Sequence, residues 1–244
     1  MMTISEAVIL AAGRGSRLGG VTKALYPFRG RPLISYTIDT LAAAGIRVLH
    51  VVVGFEAERL VRELKGIIPP GITLNPILNL DWQKQNGISL HKARNHVSGS
   101  FVLTMSDHLF DPSMLQALLR EAIPGCVALA VDRKLTQIFD IDDAMKVKTA
   151  HGQVTAIGKQ LVEFDAVDTG LFVCPPAIFD AVEATRIDND CSLADAVRAM
   201  ALDGKVRAVE IGAARWQDID TPEMLAHAAT WLPSHKPTRP PRAG

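Results

Sequence analysis

Cysteine is scarce in this 244-residue chain: Cys126, Cys174 and Cys191 stand far apart, with no CxxC pair. An odd, scattered set of thiols argues against a disulfide framework or a cysteine-based zinc site and fits a reducing, cytoplasmic setting. Aromatic residues make up only 5%, and Trp82, Trp216 and Trp231 read as packing anchors rather than stacking platforms. Net charge is also missing, because 26 basic residues balance 26 acidic ones. Without a global field there is nothing to draw in nucleic acid or an acidic membrane, although a local site for one small anion is still allowed. No apolar run approaches the roughly 20 residues needed to span a bilayer, and the N-terminus has no secretory signal. The expectation is a soluble, cytoplasmic protein with no nucleic-acid partner and no membrane insertion; a homo-oligomer is left open.

Hydrophobic residues at 48% and charged residues at 21% are enough to bury a real core. Apolar runs bounded by turn residues predict strands at Ala7–Ala12, Val48–Val53, Ile72–Leu78, Phe101–Met105 and Val127–Val131. Helical spacing fills the intervals Pro32–Ala44, Glu56–Lys65, Gly87–Val97 and Pro112–Ala122, with Pro32 suited to a first helical turn. Further strands are expected at Met145–Thr149, Gln153–Ile157, Asp168–Cys174 and Val206–Ile211, the first three as antiparallel additions. Helices at Pro176–Ala184, Ser192–Leu202 and Pro222–Trp231 complete the pattern. Alternating strands and helices imply an α/β fold, a Rossmann-like, mainly parallel mixed sheet flanked by helices. With no repeat or low-complexity linker, residues 1–232 read as a single domain. The Pro-rich, basic tail from 233 to 244 is expected to be disordered.

The stretch "AVILAAGRGSRLGGVTKAL" runs from a greasy strand into glycines and cations. A dinucleotide loop would need a third glycine where Leu18 stands, and an acidic end to the second strand where Gly54 stands. A P-loop would need G-K-[ST], which is absent. What is left is a loop in which Gly13 and Gly15 let backbone N–H groups cradle phosphates. Arg17 and Lys23 are spaced to reach along a triphosphate.

These residues resemble the signature of nucleotidyltransferases that make NDP-sugars and CDP-alcohols, LAAGxGxRL followed a few residues later by PKxL. "NGISLHKARNHV", "FVLTMSDHLF", "AIGKQLVEFDAVDTGLFV" and "RWQDIDTPEM" look like the CTP:inositol-1-phosphate cytidylyltransferase branch, with phosphocholine cytidylyltransferases as near relatives. The resemblance implies the nucleotide-diphospho-sugar transferase fold, Mg²⁺ as cofactor, and CTP or another NTP plus a phosphorylated alcohol or sugar as substrates. Three residues depart from the pattern: Thr22 and Ala24 stand where proline is frequent, and Ser106 replaces the glycine of "GDH". Where some relatives carry a fused membrane phosphotransferase, this chain has no transmembrane segment and is expected to perform the soluble step.

On that resemblance Leu10, Ala11, Ala12, Gly13, Arg14, Gly15 and Ser16, with Asn86, Gly87 and Ser89, are expected to hold the nucleotide. Arg17 and Lys23 serve the transferring phosphates, and Lys159 serves the acceptor's phosphate. Asp168 and Thr169 suit acceptor hydroxyls. Asp107 follows a buried strand and so falls at the carboxyl edge of a parallel sheet, where α/β folds bind ligands. With Asp220 it would bind the metal, since Mg²⁺ accepts one or two carboxylates plus phosphate oxygens. Asp218 is a supporting candidate, as alternate residues of a strand face opposite sides. His91, His96 and His108 read as helix-surface or loop residues, and Arg133, Lys134 and Phe164 as possible contributors to the acceptor pocket. The alternatives are a sugar-1-phosphate nucleotidyltransferase using UTP or GTP, a molybdopterin nucleotidyltransferase, and a non-catalytic nucleotide-binding module.

Overall fold

Strand β1 (Glu6–Ala11) organises the molecule, a computed structural model that describes residues 3–232. Its side chains alternate as a period of two requires. Val8 and Leu10 enter one buried cluster, while Ala7, Ile9 and Ala11 enter the cluster on the opposite face. A strand buried on both faces is continuously apolar, which is why this run has no polar interruptions.

The other strands of three or more residues are β2 (Val48–Val53), β3 (Thr73–Leu78), β4 (Phe101–Met105), β5 (His108–Phe110), β6 (Val127–Asp132), β7 (Lys146–Ala150), β8 (Gln153–Gly158), β9 (Ala166–Cys174), β10 (Val206–Glu210) and β11 (Trp216–Asp218). With β1, eight of them form one mixed sheet of nine strands. β3, β2, β1 and β4 lie side by side and parallel, with Leu10 opposite Val52 on one side and Met105 on the other. β9 joins β4 antiparallel, β6 pairs antiparallel with β9, and β10 pairs parallel with β6. The β7–β8 hairpin attaches to the start of β9. The antiparallel additions expected in the second half are therefore present.

Helices α1 (Leu33–Ala43), α2 (Ala57–Ile67) and α4 (Pro112–Glu121) cover one face, and α3 (Asn86–His91), α5 (Ala177–Ala184) and α6 (Leu193–Leu202) the other. A third cluster joins α7 (Pro222–Trp231), through Met224 and Ala228, to Leu18, Phe28, Leu33 and Leu109. α7 thus packs against the end of the glycine-rich loop. Its N-cap is Thr221, whose hydroxyl accepts from Met224 N, with Pro222 in the first turn. The tail from 233 to 244 lies outside the described residues.

Most helix ends fall within two residues of the expectation, and α3 differs by more. α1 begins at Leu33, with Pro32 at the N-cap in an extended conformation. α3 ends at His91 instead of Val97, and the chain continues in tight turns such as Ala93 N to Leu90 O at 2.9 Å. Lys92 donates to Asp81 and the ring of His96 meets Asn75. These side-chain ties to neighbouring segments override the helical spacing.

Candidate active site

The chain leaves β1 for β2 and β3 on one side, then returns to β4 on the other. Beyond the carboxyl ends of β1 and β4 lies the crevice such a reversal creates. Three segments converge there. The glycine-rich loop folds back on itself, Arg14–Gly15 pairing with Val21–Thr22. A side chain at Gly15 would lie 2.9 Å from Val21 O and 3.2 Å from Lys23 Cβ; glycine is what permits the fold-back that brings Lys23 inward. Thr22, in the proline-like position, has φ −62°, the angle a proline ring would impose. Its hydroxyl donates to Glu56 and it is buried, so a hydrogen bond supplies the constraint a ring would have supplied.

The second segment is the turn after β4, where Ser106 N bonds Leu10 O and Asp107 enters the crevice. The third is the β5–β11 ribbon. Asp218 stands opposite His108, and Ile219 N bonds Asp107 O at 3.0 Å, which delivers Asp220 to the same place.

At the centre, the Lys23 ammonium bonds both Asp107 Oδ2 and Asp220 Oδ1. Burial alone would lower the lysine's pKa, but the two carboxylates hold it above its ordinary value. Burial alone would raise the Asp107 carboxyl; Lys23 and His108 instead hold it well below the usual carboxylate range. Arg17 lies 3.4 Å from Asp220 and 3.6 Å from Asp143. Lys159 donates to Asp143 at 2.6 Å. Asp168 is pushed up to about 6 by burial, against the hydrogen bond it accepts from Gly170 N. Burial also raises the Asp218 carboxyl, whose Oδ1 accepts from Gln217 Nε2.

Arg17, Lys23, Asp107, Asp218, Asp220, Lys159, Asp168 and Asn86 are thus all at or beside one cleft of about 310 Å³. Gly13 and Arg14 are exposed, Arg14 lying over the Phe55 ring, while Leu10, Ala11 and Ala12 are buried at the end of β1 and its exit. The backbone of Ser16 opens a short helical turn that ends at Leu18.

The other expected contacts are engaged elsewhere. Thr169 is buried and donates to Ala130 O. Gly87 packs on Cys191, and Ser89 is buried with its hydroxyl accepting from Asn79. Asn86, although it lines the cleft, has its Oδ1 occupied by Leu193 N, which ties α3 to α6 and leaves its amide NH₂ for a ligand. Arg133 is held by Glu210, Asp165 and Thr149. Lys134 is held by Asp132 and two carbonyls, and Phe164 lies beneath Lys146.

Two residues were missed. His108 is not a surface histidine: only 15% of its side chain is exposed, and it bonds Asp107. Asp143 lies in the irregular strap between β6 and β7, where no pattern marks it. The dipeptide Asp107-His108 was the only sequence signal for the first, and there was none for the second.

Two carboxylate oxygens converging on one ammonium form a place where a divalent cation fits, since Mg²⁺ takes one or two carboxylates and completes its shell with phosphates and water. No ready-made cage of three or more metal-ligating side chains occurs among the described residues.

A glycine-rich loop with two cations, facing paired carboxylates at a sheet reversal, defines a nucleotidyl-transferring α/β enzyme. Residues 7–209 match the MobA-like NTP transferase domain, and the chain belongs to that family. It is 35% identical over 233 residues to the bifunctional IPC transferase and DIPP synthase of Thermococcus kodakarensis, covering 95% of this chain and 51% of the relative. The protein of the same name from Aquifex aeolicus is 33% identical, with 94% and 52% covered. The chain spans about half the length of these curated relatives. Among solved structures, the inositol-1-phosphate CTP transferase from T. maritima superposes with a TM-score of 0.82 at 26% identity, covering 95% of this chain and 99% of that one. No helix among the described residues is long and apolar enough to cross a membrane.

Proposed function

We propose that the chain transfers CMP from CTP to a phosphorylated polyol of the inositol-1-phosphate kind, giving a CDP-alcohol and pyrophosphate with Mg²⁺ as cofactor. The observation that carries this reading is the Lys23 ammonium shared between Asp107 and Asp220, with Arg17 and Lys159 on either side. Bare nucleotide binding does not require both charged sets. The likeness to the inositol-1-phosphate CTP transferase from T. maritima supports CTP and inositol-1-phosphate. The cleft's lining fits such an acceptor: Asp140, Asp143, Asp168 and Asn86 offer several partners for hydroxyl groups, and among the described residues Trp216 is the only Phe, Tyr or Trp in it, short of an aromatic cage for a quaternary amine.

In this reading an oxygen of the acceptor's phosphate attacks the α-phosphorus of CTP as the bond to pyrophosphate breaks. The protein positions the groups and stabilises charge. Arg17 and backbone donors of the glycine-rich loop hold the β- and γ-phosphates, and Lys23 stands beside the α-phosphate. Lys159 takes the acceptor's phosphate, and Asp168 accepts from its hydroxyls. Asp107 and Asp220 would hold Mg²⁺, which supplies neutralisation of the negative charge that develops on the phosphates. The setting is the cytoplasm.

A coupled pyrophosphate-release assay over a grid of four NTPs against inositol-1-phosphate, phosphocholine and hexose-1-phosphates tests this. Highest turnover is expected for CTP with inositol-1-phosphate. Highest turnover with UTP or GTP and a hexose-1-phosphate would replace it with the sugar-nucleotide reading.

A further inference from the structure

Asp107's two oxygens have separate partners. Oδ2 meets Lys23, the position a cation would share, whereas Oδ1 accepts the Nδ1–H of His108 at 2.8 Å. His108 itself has little freedom. Its carbonyl accepts from Thr37 Oγ1, and its backbone is paired with β11. One face of its ring stacks on Trp216, with centroids 6.3 Å apart and planes 16° from parallel, and Trp216 is anchored by its Nε1–H to Asp132.

On another side is Gly170, at φ +72°, where a Cβ would lie 2.3 Å from His108 Nε2. No side chain fits there, so the absence of one at Gly170 makes room for the imidazole. The carboxylate's hydrogen bond thus comes from a ring that is packed, stacked and tethered.

We propose that His108 is a positioning residue: by occupying Asp107 Oδ1 it turns Oδ2 alone toward the cleft, so that Asp107 offers a divalent cation one oxygen at a fixed angle. The inference rests on the reading of Asp107 as a cation ligand. Mg²⁺ demands near-ideal octahedral geometry, and a two-pronged approach by one carboxylate distorts it. Partners that orient a ligating carboxylate typically change metal affinity or activity by about 10- to 100-fold when removed.

The test is Mn²⁺ binding to the whole chain, measured by electron paramagnetic resonance of the free ion, for wild type, His108→Leu, His108→Asn and Asp107→Asn. Leucine fills much of the space without a donor; asparagine keeps an N–H donor near the Nδ1 position but loses the ring. His108→Leu is expected to weaken Mn²⁺ by about 10- to 100-fold, and His108→Asn to stay within about threefold of wild type, in line with a retained hydrogen bond. In turnover, the metal concentration for half-activity should rise by the same factor in His108→Leu, while kcat at saturating metal changes little.

Wild-type affinity in His108→Leu overturns the proposal. So does a loss in His108→Asn as large as that in His108→Leu, because the ring's packing would then be what matters. If His108→Leu does not fold, His108→Asn decides alone: retained affinity supports the proposal and a loss of tenfold or more overturns it. Asp107→Asn separates the two layers, since unchanged Mn²⁺ binding there would sink the reading of Asp107 itself.

Discussion

The Lys23 ammonium bonds Asp107 on one side and Asp220 on the other, joining the glycine-rich loop to the end of β4 and to the segment after β11. One cation holds together two carboxylates that would otherwise repel. Their separation in the absence of substrate is therefore set by the lysine, and a divalent cation finds them already convergent.

Replacing Lys23 by alanine should have two effects with different signatures. Turnover should fall by about 10²–10³-fold, as for loss of a charge partner aimed at the reacting phosphate. The two carboxylates, each mostly buried, would lose their shared partner, at a cost of about 1–3 kcal/mol. Added Mn²⁺ should restore the melting temperature without restoring activity. A variant with near-normal turnover, or one that Mn²⁺ does not stabilise, would contradict the shared-cation arrangement.

The two aspartates that flank Ile219 should separate cleanly. Asp220 pairs with both Lys23 and Arg17, whereas Asp218 is engaged with Gln217 and its carboxyl is raised by burial. Asp220→Asn is expected to lower kcat/KM by about 10²–10³-fold. Asp218→Asn, which removes no partner of Lys23, should cost less than about tenfold, the range of one ordinary hydrogen bond. Steady-state kinetics of both decides it, and the reverse ranking would move the metal-facing role to Asp218.

Much of this site was legible in the sequence because its parts follow strands that are buried on both faces. Ala7–Ala12 and Phe101–Met105 are long apolar runs, so the loop after one and Asp107 after the other fall naturally at the sheet's carboxyl edge. The β5–β11 ribbon was not legible, since three-residue strands carry no measurable period. His108 was misread because what defines it, Trp216 and Gly170, comes from distant segments. Asp143 sits in a strap with no periodic pattern, and only the fold reveals that it meets Arg17 and Lys159 together. Conversely, Ser89 and Thr169 had the right chemistry in the right motifs, yet their hydroxyls are buried on Asn79 and Ala130.

Asp143 shares its carboxylate between Arg17 and Lys159, cations assigned to different substrates. Lys159 and Arg17 together hold its carboxyl below the usual range. Each arriving phosphate must displace it. Asp143→Asn should therefore tighten tripolyphosphate binding by about two- to fivefold, because exposed ion pairs contribute up to about 1 kcal/mol, with the gain shrinking in high salt. Lys159→Ala should raise the acceptor's KM about tenfold or more, in keeping with a charged hydrogen bond, and leave the KM for the nucleotide nearly unchanged. Calorimetric titration checks the first and initial-rate kinetics the second; weaker polyphosphate binding by Asp143→Asn would contradict the competition.

Asp168 gives a dependence on pH whose sign is opposite to that of a salt-bridged carboxylate. Its carboxyl is raised from an ordinary 3.8 to about 6 because burial penalises the charged form. The folded chain binds this proton more tightly than the unfolded chain does. The group therefore favours the fold below about pH 4, and that contribution is lost as pH rises through about 6. Asp168→Asn keeps an oxygen to accept from Gly170 N and carries no charge at any pH. The melting temperature of the variant relative to wild type should be level near pH 4, climb between pH 4 and pH 6, and plateau a few degrees higher above pH 7. Thermal melts of both proteins across that range test it. A difference that stays flat would mean that the Asp168 carboxylate is better solvated in the cleft than its surroundings indicate.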